Sequence, residues 1–277
     1  MSNLKKTCFF AVLFAAATAC SPEAKKEEPA KETMPEPKEI SIPVLDYSVV
    51  ATFPHDTASF TEGLLFHNDK LFESTGSPSG SDFRSVLGSV DMKTGKIDVK
   101  AELDKNTYFG EGIVFLKNKI YQVTYQNQMG FMYDEKTYKK IGQFNYTNKE
   151  GWGMTTDGTY IIMSDGTDNL TYFDADFKPV KVLTVTEKGY ALEAINELEY
   201  IHGYIYANIW MTGYIVKIDP ATGNVVAKIN LTPLSYDTKN FHPSAMEMNG
   251  IAYDPANDKI YVTGKAWPSI YEIKFAH

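Results

Sequence analysis

Short stretches of alternating hydrophobic and polar residues recur along the chain from about residue 45 to its end. Alternation with a period of two is typical of β-strands that bury one face. Turn residues such as Asn68-Asp69, Asp157-Gly158 and Asn257-Asp258 come directly before three of these stretches, so we interpret each as the second arm of a hairpin. The five clearest stretches are residues 70–73, 119–122, 159–162, 204–207 and 259–262.

A similar motif precedes each of these strands. The motif begins at residues 60 (FTEGL), 109 (FGEGI), 150 (EGWGM), 195 (INELE) and 248 (MNGIA). Successive starts are 49, 41, 45 and 53 residues apart. A second turn, rich in Asp, Thr and Gly, recurs at residues 91–96, 134–137 and 219–223 and marks a further hairpin in the same unit. Four strands per repeat is typical of a propeller blade.

The repeats predict an all-β fold, a five-bladed β-propeller with four-stranded blades. Residues 45–277 divided by a blade of roughly 45 residues gives about five blades. The last repeat has no room for a fourth strand, whereas residues 47–53 form a strand-like run left over at the start. We expect this N-terminal run to join the last blade and close the ring without an open edge. A β-sandwich is the alternative, but it does not explain so regular a repeat.

Matching positions of the repeats converge in a propeller. The start of a blade's first strand and the end of its second reach the same rim, because the two strands are antiparallel. We therefore predict a pocket there for a small molecule or a peptide end. The first set contains Glu62, Glu111, Trp152, Glu197 and Asn249, with Phe60, Phe109 and Asn196 close by. The second set contains Gly76, Tyr125, Asp165, Trp210 and Lys265.

Composition excludes several classes of function. A net charge of −8 argues against nucleic-acid binding, which depends on neutralising phosphates. Cys8 and Cys20 cannot build a disulfide framework or a zinc cluster. The five histidines show no ligand spacing along the chain, so we expect no metal site and no cofactor.

The N-terminus indicates export. Lys5 and Lys6 precede an apolar run, too short to span a bilayer, that ends in small residues before Cys20, so residues 1–19 are predicted to be a signal peptide. The end of this segment resembles a bacterial lipobox, which implies lipidation of Cys20. Residues 20–44, rich in Pro, Glu and Lys, are predicted to be a disordered tether for the domain at 45–277. We expect a monomeric cell-envelope lipoprotein, periplasmic or anchored in the outer membrane; simple secretion after Ala19 is the alternative.

The repeat motifs, taken in order, resemble the plant and bacterial type of glutaminyl-peptide cyclotransferase. The resemblance covers nearly the whole domain and also rests on residues 73–76 (ESTG) and 263–268 (TGKAWP). It implies a five-bladed propeller that converts the N-terminal glutamine of peptides or proteins to pyroglutamate and releases ammonia without a metal. The chain departs from the family at Glu62, where we expect Gln, and at Tyr125, where we expect Trp.

Roles in this reaction can also be assigned from the chemistry of the residues themselves. The α-amine loses a proton as it attacks the side-chain amide, and the leaving nitrogen gains one, so a single carboxyl group can serve both transfers. Glu111 is the candidate, matching the family's catalytic acid. Lys265 and Asn196 are the predicted donors to the oxyanion. Phe60, Phe109, Tyr125, Trp152 and Trp210 are expected to form the pocket wall, and Glu62 and Glu197 to hold the substrate's ammonium or tune Glu111.

Two other classes of function remain open. One is a non-catalytic propeller that binds a partner at the cell envelope, since a fold does not determine a function. The other is a calcium-dependent propeller hydrolase of the lactonase kind, in which Glu62, Glu111, Glu197 and Asn249 would form an oxygen cage.

Overall fold

β-Strands account for nearly all of the regular structure in the part of the chain that the structure describes, which is residue 11 and residues 41–277. The structure is a computed structural model. The predicted signal peptide, Cys20 and most of the predicted tether lie outside the described residues. No helix in the described part is both long and apolar enough to span a membrane.

Apart from one small two-stranded hairpin, the described strands form five sheets, which we call blades I to V. The chain begins with β1 (Val44–Leu45) and β2 (Ser48–Pro54). Blade I contains β3 (Thr61–His67), β4 (Lys70–Thr75), β5 (Val86–Val90) and β6 (Ile97–Glu102). Blade II contains β7 (Gly110–Leu116), β8 (Lys119–Thr124), β9 (Met129–Asp134) and β10 (Lys140–Asn145). Blade III contains β11 (Met154–Thr156), β12 (Ile161–Ser164), β13 (Asn169–Phe173) and β14 (Pro179–Thr184).

The remaining strands complete the ring. A small hairpin of β15 (Thr186–Glu187) and β16 (Tyr190–Ala191) follows blade III. Blade IV contains β17 (Ile195–Ile201), β18 (Tyr204–Ile209), β19 (Tyr214–Ile218) and β20 (Val225–Asn230). A helix, α1 (Thr232–Phe241), with Pro233 in its first turn, leads to blade V, which contains β21 (Met248–Asp254), β22 (Lys259–Gly264) and β23 (Ser269–Lys274). The predicted five-bladed propeller is confirmed; α1 and the β15–β16 hairpin were not predicted.

The hydrophobic core lies between blades. Each of the five apolar clusters among the described residues joins two neighbouring sheets. In the cluster between blades V and I, for example, Leu64 and Leu71 pack with Ala252, Tyr261 and Ile270. The inner strands are almost wholly buried, because each sheet is covered on both faces. Burial on two faces also places polar residues of the repeat motif, such as Glu62, Glu111 and Glu197, in the interior.

The N-terminal strand closes the ring as predicted. Strand β2 pairs antiparallel with β23, from Ser48 opposite Lys274 to Pro54 opposite Ser269, and supplies the fourth strand of blade V. Blade V is therefore built from both ends of the folded domain. Closure of this kind covers a strand edge that would otherwise be open to pairing with another chain.

A buried His55–Glu73 pair reinforces this closure, and nothing in the sequence pattern pointed to it. His55 directly follows β2, and its Nε2 lies 3.1 Å from Oε1 of Glu73 on β4, with both side chains fully buried. Its Nδ1 lies 2.8 Å from the carbonyl oxygen of Trp267 in blade V, and Thr61 donates to Glu73 at 2.6 Å. Burial alone would lower the pKa of His55, but the charge and the hydrogen bond of Glu73 and the hydrogen bond to Trp267 together outweigh it and raise that pKa. The pair thus joins the N-terminal strand, blade V and blade I.

The folded domain begins earlier than predicted. We expected the tether to extend to residue 44, but Val44 pairs in parallel with Lys228 on β20, and Pro43 accepts a hydrogen bond from the Lys228 amide at 2.9 Å. Ile42 also packs against the apolar cluster between blades III and IV. A parallel fifth strand so short carries no periodicity, and its Pro-rich surroundings favoured an extended linker.

Candidate active site

One cavity, of about 360 Å³, lies at the rim where the inner strands begin. Nine of the ten predicted catalytic and substrate-binding residues line it. The lining consists of Phe60, Glu62, Phe109, Glu111, Tyr125, Trp152, Asn196, Trp210, Met246, Glu247 and Lys265. The converging repeat positions therefore do meet in one place. Of the second predicted set, Asp165 and Gly76 do not line the cavity.

β-Bulges direct the polar side chains of the repeat motif toward the propeller axis. In blades I, II, IV and V the first hairpin shifts its register at the repeat motif, beside Glu62, Glu111, Asn196 and Asn249. Such bulges bend a strand and redirect side chains, and they are common beside active sites. The only hint in the sequence is the glycine that follows each glutamate in FTEGL and FGEGI. Strict alternation alone would have placed these residues incorrectly.

Glycines bring the inner strands close together at this rim. The amide of Gly112 in blade II donates to the carbonyl oxygen of Trp152 in blade III at 2.8 Å. A Cβ at Gly112 would lie 2.5 Å from that oxygen, and a Cβ at Gly153 would lie 2.4 Å from the carbonyl oxygen of Asn196. Only glycine allows backbones to approach this closely. These contacts set the spacing of Glu111, Trp152 and Asn196 around the cavity.

Glu62 and Lys265 form a buried ion pair across blades I and V. Lys265 Nζ lies 2.8 Å from Oε1 of Glu62, and both side chains are less than one-tenth exposed. Oε2 of Glu62 accepts a hydrogen bond from Asn249 at 3.1 Å. The ammonium also lies 4.6 Å from the centre of the Phe60 ring, a cation–π contact.

Glu111 shares a hydrogen bond with Glu62. Burial, partly offset by the charge of Lys265, raises the pKa of Glu62 to about 7. Burial and then the negative charge of Glu62 raise the pKa of Glu111 well above its usual range. Burial alone would lower the pKa of Lys265, but the two carboxylates outweigh it and raise that pKa. Glu62, beside Lys265, is therefore the first of the two carboxyl groups to ionise as the pH rises, and Glu111 keeps its proton longer.

Two buried polar atoms at the cavity have no hydrogen-bonding partner among the described residues. They are Oε2 of Glu111 and Oδ1 of Asn196, both nearly inaccessible to solvent. Leaving a buried polar atom without a partner costs about 1–3 kcal/mol. Such atoms in a cavity wall are expected where a substrate supplies the missing partner. The geometry thus offers one carboxyl oxygen and one amide group for a ligand.

Five aromatic side chains wall the cavity. Phe60 and Phe109 meet edge to face with centroids 5.9 Å apart, and Phe109 lies 5.7 Å from Tyr125. On the other side, Trp152 and Trp210 meet edge to face at 5.7 Å. Trp210 is 43% exposed and lies at the mouth, whereas Phe60 is buried. The wall thus offers apolar faces for methylene groups and one opening to solvent.

Two glycines make room for these rings. A Cβ at Gly76 would lie 2.2 Å from the Phe109 ring. At Gly166, where φ is +79°, a Cβ would lie 2.6 Å from the Trp152 ring. Gly76 thus contributes to the site from behind the wall, although it does not line the cavity.

Glu150 holds one wall in place, and the sequence analysis did not single it out. Its Oε2 accepts the indole N–H of Trp152 at 2.9 Å, and its Oε1 accepts a hydrogen bond from Gln126 at 2.9 Å. Because Gln126 follows Tyr125, this carboxylate connects the aromatic walls of blades II and III.

Met246 and Glu247 were also missed. Both immediately precede β21, one step upstream of the repeat motif. The Met246 amide donates to the carbonyl oxygen of Lys265 at 2.8 Å, and the Lys265 amide donates to that of Glu247 at 2.9 Å. The two residues hold the backbone of Lys265. Their position beside the repeat was the only signal that could have found them.

Glu197 is the predicted site residue that the structure places outside the cavity. Its Oε1 accepts the amide of Leu64 at 3.2 Å, and its Oε2 accepts that of Ile251 at 2.7 Å. The carboxyl group therefore links blade IV to blades I and V near the axis instead of facing a substrate. The register shift between Ile195 and Leu198 explains the correction: Asn196 and Glu197 both lie in this bulge, and only Asn196 lines the cavity.

The fold and the cavity together define a class, a five-bladed propeller with a pocket of buried ionisable side chains at one end of its axis. The glutamine cyclotransferase family model matches residues 12–275. A glutaminyl-peptide cyclotransferase from Arabidopsis thaliana is 39% identical over 244 residues, which are 85% of this chain and 73% of that protein. The crystal structure of Myxococcus xanthus glutaminyl cyclase matches with a TM-score of 0.76 at 32% identity, over 84% of this chain and 98% of that one. The chain therefore belongs to the glutamine cyclotransferase family of enzymes.

Proposed function

We propose that this enzyme converts the N-terminal glutamine of peptides to pyroglutamate with release of ammonia, without a metal and with Glu111 as the acid–base group. The observation that carries the proposal is the Glu111–Glu62–Lys265 group on the cavity wall. It supplies one mobile proton, one compensated negative charge and one cation within a single hydrogen-bonded unit. The reaction needs these three elements.

The proton moves in a closed cycle. The neutral α-amine of the substrate attacks the side-chain amide carbon, and a carbon–nitrogen bond forms. The amine proton passes to Oε2 of Glu111, which is free, while the proton already on Glu111 shifts to Glu62. Glu111 then returns a proton to the departing nitrogen as its bond to carbon breaks, so ammonia leaves and the pair regains its starting state.

Lys265 and the amide of Asn196 stabilise the negative charge on the substrate oxygen. Lys265 has three N–H donors and directs one of them to Glu62. Asn196 has its amide group on the cavity wall, and rotation of that group presents either its oxygen or its N–H₂ to the substrate. Donors held in place before the reaction contribute most to this type of catalysis.

The aromatic walls favour cyclisation over hydrolysis. Phe60, Phe109, Trp152 and Trp210 pack on the two methylene groups of a glutamine side chain and limit the entry of water. A folded glutamine side chain brings the amine next to its own amide, so exclusion of water leaves the amine as the available nucleophile.

An adjoining cleft supports a peptide substrate over free glutamine. This cleft, of about 660 Å³, is lined by residues 77–81, 105–109 and 125–127. It shares Phe109 and Tyr125 with the cavity, so a chain that leaves the cavity enters the cleft directly. Its lining is polar apart from the aromatic rings and Pro78, which suits a peptide backbone.

Ammonia release from a synthetic peptide that begins with glutamine tests the proposal. The purified protein is assayed in EDTA with the free peptide, with the same peptide acetylated at its amine, and with free glutamine. We expect release from the free peptide alone, with the matching loss of mass. A Glu111→Gln variant of unchanged thermal midpoint is the control, and it should be inactive. Absence of release from every substrate would overturn the proposal and favour a non-catalytic binding propeller.

We also propose that the enzyme is an exported lipoprotein anchored at Cys20, from the apolar run and small residues that precede this cysteine. Metabolic labelling with a palmitate analogue should mark the wild-type chain but not a Cys20→Ser variant. Equal labelling of both chains would contradict the anchor.

A further inference from the structure

A group of four polar side chains lies at the rim opposite the cavity. His202 is in the turn between β17 and β18, and Asp258 is in the turn between β21 and β22. Tyr253 lies near the end of β21, and His277 follows β23. We propose that these residues, which we call the rim cluster, form a binding site for a divalent transition-metal ion of the zinc type. The proposal does not depend on the reaction at the cavity.

The potential ligand atoms are spaced for tetrahedral coordination. Nε2 of His202 lies 3.3 Å from Oδ1 of Asp258, and Nε2 of His277 lies 3.0 Å from the same oxygen. The hydroxyl of Tyr253 lies 3.0 Å from Nε2 of His202 and 2.9 Å from Oδ1 of Asp258. In a tetrahedral site with zinc about 2.0–2.1 Å from each ligand, neighbouring ligand atoms are about 3.3–3.4 Å apart. The potential ligand atoms of His202, Asp258 and His277 all lie within 4.8 Å of one another.

The side chain of His277 is already oriented as a metal ligand. Its Nδ1 lies 3.0 Å from the carbonyl oxygen of Phe275, which accepts the proton on that nitrogen. Nε2 faces Oδ1 of Asp258 at 3.0 Å, and a bound ion would take the place of the proton between these two atoms. A backbone carbonyl that holds one ring nitrogen while the other binds the ion is the usual arrangement around metal-binding histidines. The rings of His202 and His277 also stack, with centroids 5.1 Å apart.

The types of ligand atom in the rim cluster favour one class of metal ion. Two imidazoles with one carboxylate suit zinc and similar ions, whereas calcium and magnesium prefer oxygen ligands alone. Within the described residues, this is the only group of three His, Cys, Asp or Glu side chains close enough to hold a metal ion. The ion would join blade IV, blade V and the segment after β23.

Zinc titration of the full-length, untagged protein tests the proposal. The protein is first stripped with a chelator, and any thiol of Cys8 or Cys20 that processing and lipidation have left free is alkylated so that it cannot bind the ion. We expect one saturable zinc site per chain by calorimetry and an increase in the thermal midpoint on binding. Cobalt(II) in the same site should give the strong visible absorption of tetrahedral coordination.

Variants locate the site. His277→Ala and Asp258→Asn should each weaken zinc binding at least tenfold and remove the zinc-dependent thermal shift. His242→Ala, which changes a histidine outside the rim cluster, is the matched control and should bind zinc like the wild type. Absence of a saturable site in the wild type would overturn the proposal, and so would binding that both rim variants retain. The rim cluster would then be a hydrogen-bonded cross-link only.

Discussion

The propeller contains two pairs of buried glutamates that look alike in the sequence and differ in their surroundings. Glu62 and Glu111 belong to FTEGL and FGEGI, and Glu197 and Glu199 belong to INELE. Burial raises the pKa of all four. Backbone amides donate hydrogen bonds to Glu197 and Glu199, whereas Glu62 and Glu111 line a cavity and Glu62 forms an ion pair with Lys265.

The difference shows that a raised pKa alone does not identify a catalytic acid. Glu199 has a pKa raised to about 8 by burial, yet its Oε1 accepts the amide of Tyr253 at 2.8 Å and it lines no cavity. Glu111 has an oxygen without a partner at a cavity wall. A carboxyl group needs both a held proton and an unoccupied oxygen that a substrate can reach in order to act as an acid–base group.

The substitution with the largest expected effect distinguishes the pair at the cavity, Glu62 and Glu111, from the pair Glu197 and Glu199. Glu111→Gln removes the titrating group but keeps its shape, so we expect kcat to fall by about 10²–10⁴-fold. The thermal midpoint should change little, because the substitution affects only a contact with another carboxyl group, that of Glu62. Steady-state ammonia release and a thermal scan measure both quantities. Turnover near the wild-type rate would remove Glu111 from the mechanism.

Lys265→Met should lower kcat/KM on the order of 100-fold, because the substrate oxyanion loses a donor. The variant should also reach its maximal rate only at a higher pH than the wild type. Loss of the ammonium raises the pKa of Glu62 further above about 7, so the acidic limb of the rate–pH profile should move upward. Lys259→Met, at the other end of the same strand, is the matched control. An unshifted acidic limb would show that Lys265 does not act on Glu62.

Glu197→Gln should affect folding more than catalysis. A glutamine side chain offers one acceptor where two backbone amides need one each, so a buried amide loses its partner at a cost of about 1–3 kcal/mol. Chemical denaturation should detect this loss, while kcat stays within a few-fold of the wild type. A variant of normal stability that loses turnover would return Glu197 to the catalytic site.

Glu199→Gln should flatten the dependence of stability on pH. The folded protein keeps a proton on Glu199 up to about pH 8, whereas an unfolded chain releases it near pH 4.5. Between these values each pH unit therefore lowers the free energy of unfolding by up to about 1.4 kcal/mol. Denaturation at pH 5.5 and 7.5 should show a smaller loss in the variant than in the wild type. Parallel losses in the two proteins would contradict this assignment.

The smallest effect is expected at the aromatic wall. Gly76→Ala places a methyl group 2.2 Å from the Phe109 ring, which must move. We expect a several-fold rise in KM with a smaller change in kcat, because binding contacts shift while Glu111 and Lys265 stay in place. Steady-state kinetics at constant pH measure the changes in KM and kcat separately. A change confined to kcat would indicate that Phe109 orients the reacting atoms.

Repeated local patterns made much of the fold predictable. Each blade repeats the same hairpin signals, so the number of blades, the place of β2 and the convergence of Glu62, Glu111 and Lys265 followed from counting along the chain. The bulges beside these residues were hidden, because a register shift depends on how two strands fit together. The parallel pairing of β1 was hidden as well, since two residues carry no periodicity.

The sequence by itself determined the propeller, the order of its blades and most of the side chains that meet at one rim, because period-two alternation and turn residues act locally. Tertiary structure alone decided which buried glutamates face the cavity, since that depends on bulges and on amides from other blades. It also decided that His55 meets Glu73 and that His202 lies beside His277. These contacts join residues of different blades, and their geometry depends on how the blades pack against one another, which no local pattern records.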